Sequence, residues 1–143
     1  MSKINKSIYI EVSTEKVWEL LTDLDKFHEW APVKMRLTFE KQGLGATYHT
    51  TGKFFGMNFE IDQNCVEWEE NRRWSYTMFF GKKEAKLTWI LEPYQSGTKL
   101  TEIFDYELPY SFFGKLIDKL IFRRYIGKMM EKELEALKSL LEE

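Results

Sequence analysis

The 143-residue chain carries 21 basic and 23 acidic side chains, a net charge of −2 and a 16% aromatic share. That length suits one domain with a real core, and the charge balance leaves no basic excess to bind nucleic acid. A lone cysteine, Cys65, excludes an internal disulfide framework and fits a reducing compartment, and with two isolated histidines it does not make a structural zinc site.

Residues 4–12, INKSIYIEV, alternate loosely between β-branched or aromatic and polar residues and read as a first strand. Ser13 is a helix cap and Glu15 suits the first turn. Val17, Leu20, Leu21 and Leu24 recur at helical spacing, which predicts an amphipathic helix over about 14–24. The stretch LTDLDKFHEWAP follows, and Pro32 stops the helical region by Ala31.

From 33 to 107 the period changes to two. VKMRLTFE, ATYHTT, MNFEIDQNCVEW, RWSYTMFF, EAKLTWILEP and KLTEIFDYEL are separated by turn-forming stretches, the pattern of consecutive antiparallel hairpins. Leu87, Trp89 and Leu91, and Leu100, Phe104 and Tyr106, define inward faces. Lys86, Thr88, Lys99, Thr101 and Asp105 point outward.

Pro109 and Ser111 open a last helical region over about 111–142. Phe113, Leu116, Ile117 and Leu120 share one face. Ile126, Met130, Leu134, Leu137 and Leu141 share another, rotated by roughly 80–90° at the helical period. The offset predicts a kink or break at about 122–127, with Gly127 the weak point. A curved antiparallel sheet needs an apolar cover on one face, and only this helix is long enough. Such an arrangement leaves a space lined by aromatic and aliphatic side chains.

VSTEKVWELLTDLDKFHEWAP resembles the opening motif of the polyketide cyclase/dehydrase-like branch of the START/Bet v 1-like superfamily, with Val17, Trp18, Leu21, Asp23, Trp30 and Pro32 at the matching positions. GTKLTEIFDYEL is similar to that branch's penultimate strand, and the tail from Phe112 is similar to its closing helix. The resemblance implies an α+β helix-grip fold: a seven-stranded curved antiparallel sheet wrapped around a long C-terminal helix, with two short helices between strands 1 and 2. It also implies one ligand-binding domain over 1–143 with an internal cavity for sterols, lipids, quinones, polyketides or other apolar molecules. The motif positions are scaffold positions, and the fold hosts many functions.

Polar residues on the inward faces are the candidate chemistry. Glu102 shares the face of Leu100, Phe104 and Tyr106, where a carboxyl must be paired or protonated; ligand contact, an acid role, pairing with Arg124 and an outward-turning bulge are all open. His49 faces the pocket or solvent depending on a one-residue register. His28, beside Glu29, reads as an exposed loop histidine. Tyr76, Trp89, Phe104 and Tyr106, with Leu116, Leu120 and Trp30, are the remaining candidate ligand contacts, Trp30 at the pocket mouth. Arg123, Arg124, Lys115, Lys119 and Lys128 interleave with Phe112, Phe113, Ile121 and Phe122, either as a membrane-facing or anion-binding surface or as a solvated helix face, in view of the neighbouring Glu131, Glu133 and Glu135. No nucleophile-elbow, phosphate-loop, zinc-protease or dinucleotide motif occurs.

The expectation is a soluble cytoplasmic protein without metal or cofactor, monomeric or weakly dimeric, that binds or carries a small hydrophobic molecule. Transient contact with a membrane surface is compatible with it. The alternatives are a cyclase/dehydratase-like enzyme using Glu102 or His49, and a protein-interaction module marked by an exposed patch around Phe122 and Met129.

Overall fold

The computed structural model describes residues 2–39, 41–54, 56–107 and 119–143. Strand β1 (Ser2–Ile10) leads into helix α1 (Thr14–Thr22) and a short 3-10 helix (Leu24–Glu29). Strands β2 (Val33–Phe39), β3 (Thr47–Phe54), β4 (Met57–Glu69), β5 (Arg73–Phe80), β6 (Lys83–Tyr94) and β7 (Gly97–Tyr106) follow. Helix α2 (Lys119–Leu141) closes the order. The strands make one curved antiparallel sheet in the order β1-β7-β6-β5-β4-β3-β2, with α2 on its inner face, as the helix-grip expectation required. Among the described residues no helix is long and apolar enough to cross a membrane.

Local chemistry explains the helical corner. Ser13 Oγ accepts from the Lys16 amide at 3.4 Å, Glu15 sits in the first turn, and Val17, Trp18 and Leu21 turn inward. The α-helix stops at Thr22, two residues earlier than its apolar spacing suggests. Asp23 leaves helical geometry and its carboxylate caps the 3-10 helix, accepting from the Asp25 amide at 3.1 Å. Phe27 and Trp30 are then buried while His28 is exposed, and Pro32 precedes β2.

The inner face is set by period two and by one interruption. Gln63 and Cys65 point inward on β4, but the register shifts between Cys65 and Glu67, so Glu67 turns out and Trp68 turns in. On the outer face Glu67 binds Ser75 Oγ at 2.6 Å, Arg73 at 2.9 Å and Lys86 at 3.0 Å. Inside, Trp74 is fully buried and is the hub of an aromatic cluster, its ring 4.9 Å from Tyr76, 6.0 Å from Tyr48, 6.1 Å from Trp68 and 6.5 Å from Phe27.

Helix α2 runs unbroken through 122–127, which corrects the predicted break. Phe122, Ile126, Met130, Leu134 and Leu137 form its buried stripe, whereas Leu120 and Ile121 are 53% and 52% exposed. The helix therefore orients on the second apolar face; Phe113, Leu116 and Ile117 of the first lie outside the described residues. Gly127 is buried against the Lys6 side chain, whose Nζ reaches Glu131 at 2.9 Å. Phe122 is 1% exposed and Met129 half-buried, and both turn towards the sheet, so neither forms the exposed apolar patch expected around them; among the described apolar residues of this helix end it is Leu120 and Ile121 that are exposed.

Gly97, where β7 begins beside the end of β1, is a close-approach position: a Cβ there would sit 2.2 Å from the Ile10 carbonyl and 2.9 Å from Glu11 Cα. Backbone atoms cannot yield as a side chain would. Gly97→Ala is expected to lower the unfolding free energy by about 2 kcal/mol or more in urea titrations, and an unchanged midpoint would show that the edge pairing is loose.

Candidate cavity and its carboxyl pair

Between the sheet and α2 lies a cavity of about 420 Å³. Its wall is mostly apolar: Leu87, Trp89, Phe104 and Met78 from the sheet, Phe122, Ile126, Met129 and Met130 from the helix. The ladder aligns the wall, pairing Tyr76 with Leu87 and Leu87 with Phe104 in one row, and Trp74 with Trp89 and Trp89 with Glu102 in the next. Directly opposed residues share a face, so the row that carries the tryptophans delivers Glu102 inward. Exposed lining residues Phe79 and Gly81 sit beside the β5–β6 turn, at the end of the sheet that also carries the β3–β4 turn.

The polar atoms in this wall are few. Trp89 Nε1 donates to Tyr76 Oη at 3.3 Å. Thr50 Oγ1 donates to Gln63 Oε1 at 2.5 Å. Glu102 is completely buried, and among the described residues its carboxyl oxygens meet no donor from the sheet; their one polar neighbour is the Glu133 carboxyl, with which a shared proton makes a hydrogen bond. Glu133 of α2, 8% exposed, lines the same cavity. Burial, and then the charge of Glu133, hold the Glu102 carboxyl well above the usual carboxylate range. Burial lifts Glu133 from 4.5 to about 7, and its contact with Glu102 opposes that rise. Two carboxyls in one apolar space do not both ionise at neutral pH without a counter-charge. Burial foremost also keeps Tyr76 a phenol.

The structure sorts the sequence-predicted residues. Glu102, Tyr76, Trp89 and Phe104 line the cavity. Trp30 sits one layer back, its ring edge-on to Trp89 at 5.5 Å. Tyr106 is also behind the wall, stacked on Phe104 at 5.1 Å and tilted against Phe122 at 5.0 Å. Leu116 lies outside the described residues. Leu120 is corrected: it borders an outer groove between β1 and α2 with Lys6, Arg123, Arg124 and Lys128, because α2 turns its other stripe to the sheet. Arg124 in that groove is not the partner of Glu102.

His49 is corrected as well. Tyr48 points inward and is buried, so the next residue points out. There His49 Nδ1 meets Asp62 at 2.9 Å and Nε2 meets Glu60 at 3.4 Å, and the hydrogen bond to Asp62 raises its pKa.

Sequence reasoning missed Thr50, Gln63 and above all Glu133, which it grouped with the solvated Glu131 and Glu135. The signal was present: Glu133 falls seven residues after Ile126 and three after Met130, on the buried stripe.

A curved sheet gripping a long helix over an apolar cavity defines the START-like helix-grip fold. The chain belongs to the polyketide cyclase/dehydrase and lipid transport family, whose model matches residues 1–142. No curated protein sequence matches it. Among solved structures it is similar to an aromatase/cyclase from Streptomyces sp. R1128 (TM-score 0.82, 14% identity, 99% of this chain and 93% of that one covered). It is also similar to a START superfamily protein from Mycobacterium smegmatis (TM-score 0.80, 15% identity, 98% and 97% covered). A protein from Chromobacterium violaceum gives a TM-score of 0.77 at 18% identity, with 100% and 99% covered. At these identities the structural likeness is one of fold.

The carboxyl pair has a thermodynamic signature. A carboxyl whose pKa is raised on folding binds more protons in the folded than in the unfolded chain, so its contribution falls as pH rises from about 4.5 through the folded value near 7. Wild-type stability should fall between pH 5 and pH 8 in denaturant titrations, and a Glu102→Gln/Glu133→Gln double variant should lose most of that fall, keeping only the shallow part that belongs to His49 on the outer face. Glu67 acts at the other end: its pKa is lowered to about 2, first by Ser75, so its stabilisation is lost only as pH falls from about 4.5 towards 2. A wild-type profile flat from pH 5 to 8 would mean the pair is solvated.

Proposed function

We propose that this protein binds and carries a small, mostly apolar molecule in the cavity between sheet and helix, with one polar group of the ligand against Glu102 and Glu133. One observation carries the reading: an apolar space of about 420 Å³ into which a fully buried carboxyl points, with no polar partner among the described residues other than a second carboxyl, that of Glu133. An unpartnered buried polar group costs folding free energy, and a ligand group that satisfies it recovers that cost on binding. Burial of the ligand's apolar surface supplies most of the affinity, at about 25 cal/mol per Å² before the costs of association. Family membership supports the same reading, and a cytoplasmic location with transient membrane contact fits a carrier.

A second reading, an acid–base enzyme of the cyclase or dehydratase type, is favoured by the pair itself. Two carboxyls whose pKa values are pushed apart in one site can hold a proton donor beside a proton acceptor. His49 takes no part in it, being on the outer face.

Native mass spectrometry of the protein purified from cells tests the reading, with the expected result a co-purified apolar molecule released on denaturation. Met129→Trp, which puts an indole into the cavity from a half-buried helix position, should weaken binding of an apolar fluorescent probe by about ten-fold with little change in Tm. Undiminished probe binding in that variant would place the ligand elsewhere.

A further inference from the structure

The charge of the cavity wall narrows the ligand. The chain has 21 basic residues, yet among the described residues none lines the cavity. The charged residues that do are Glu60, Glu102 and Glu133, with Glu60 an exposed residue paired to His49. Among the described residues one basic side chain, Lys6, stands opposite Glu102 in the β1–β7 ladder. Its ammonium is committed to Glu131 at 2.9 Å, on the groove side of α2. Lys86, on β6, is bound to Glu67 on the outer face. From β5 the group facing the pair is Tyr76, a neutral phenol, and from β6 it is the indole of Trp89.

We propose that the ligand is a cationic amphiphile, an apolar molecule whose protonated amine is seated between the carboxylates of Glu102 and Glu133. The inference rests on the carrier reading above. A neutral hydroxyl or carbonyl satisfies one hydrogen bond and leaves two carboxyls competing for one proton. An ammonium satisfies the oxygens of Glu102 and supplies the charge that lets both groups ionise in a low-dielectric space. The faces of Trp89 and Tyr76 suit the same cation. An anionic head group, such as that of a fatty acid, meets repulsion from both carboxyls. The hydrocarbon part then follows the row of Tyr76, Leu87 and Phe104 towards the exposed end at Phe79.

Isothermal titration of the full chain with octylamine, octan-1-ol and octanoate at pH 7 separates the cases. The expected order is octylamine tightest, about ten-fold or more over octan-1-ol, with octanoate weakest. Octylamine binding should release protons, seen as a dependence of the measured heat on buffer ionisation enthalpy, and should tighten from pH 6 to pH 8. Glu102→Gln and the Glu102→Gln/Glu133→Gln double variant, checked for folding by circular dichroism, should lose the amine's advantage over octan-1-ol; an advantage that persists in both overturns the proposal. Equal affinity for amine and alcohol, or a preference for octanoate, overturns the cationic ligand and leaves the apolar carrier standing. Absence of binding by all three probes overturns the carrier reading and this inference with it.

Discussion

One helix has to cover the concave apolar face of a seven-stranded sheet, and a helix about 10 Å across does not fill a concave surface. Most other features follow from that constraint. The Trp74 cluster fills the end under α1 and the 3-10 helix, where Trp18, Phe27 and Tyr48 converge. The space beneath α2 is left open and lined by Leu87, Phe104, Ile126 and Met130. Solid packing at one end and a cavity at the other are two outcomes of the same geometry. Rings are available to close the first end, and strand curvature holds the second apart.

Into that open space the chain puts two carboxyls. Their burial works against stability above the ordinary carboxylate pKa, and nothing in the fold requires them: apolar side chains of similar volume would pack without charge cost. A feature that costs stability and faces a cavity is best understood through what the cavity holds. The same low dielectric that pushes both groups towards the protonated form makes any ligand that satisfies them bind strongly.

Much of the scaffold was legible because local physics dictated it. Ser13, Asp23 and Pro32 mark the helical corner through capping and φ restriction, and the six strands from β2 to β7 fall close to the segments of period-two sequence. Glu102 was legible as a polar residue on an apolar face. His49 depended on register, and register is settled by β3 pairing with β2 and β4, not by its own residues. Leu120 depended on which of two apolar stripes α2 turns to the sheet. Glu133 was hidden by its company: between exposed Glu131 and Glu135, it reads as one more solvated charge until the helix is rotated into place.

The sequence by itself determined the alternation of strands, the capped corner and the covering helix, and it marked Glu102 as a polar residue on an apolar face, because these arise from propensity, capping and periodicity within each segment. Only the tertiary structure decided that Glu102 meets Glu133 and that Lys6 is spent on Glu131. Residues 31 positions apart on a strand and a helix come together through the crossing of two elements. No local pattern encodes that crossing; it is set by how the helix's buried stripe seats in the curve of the sheet.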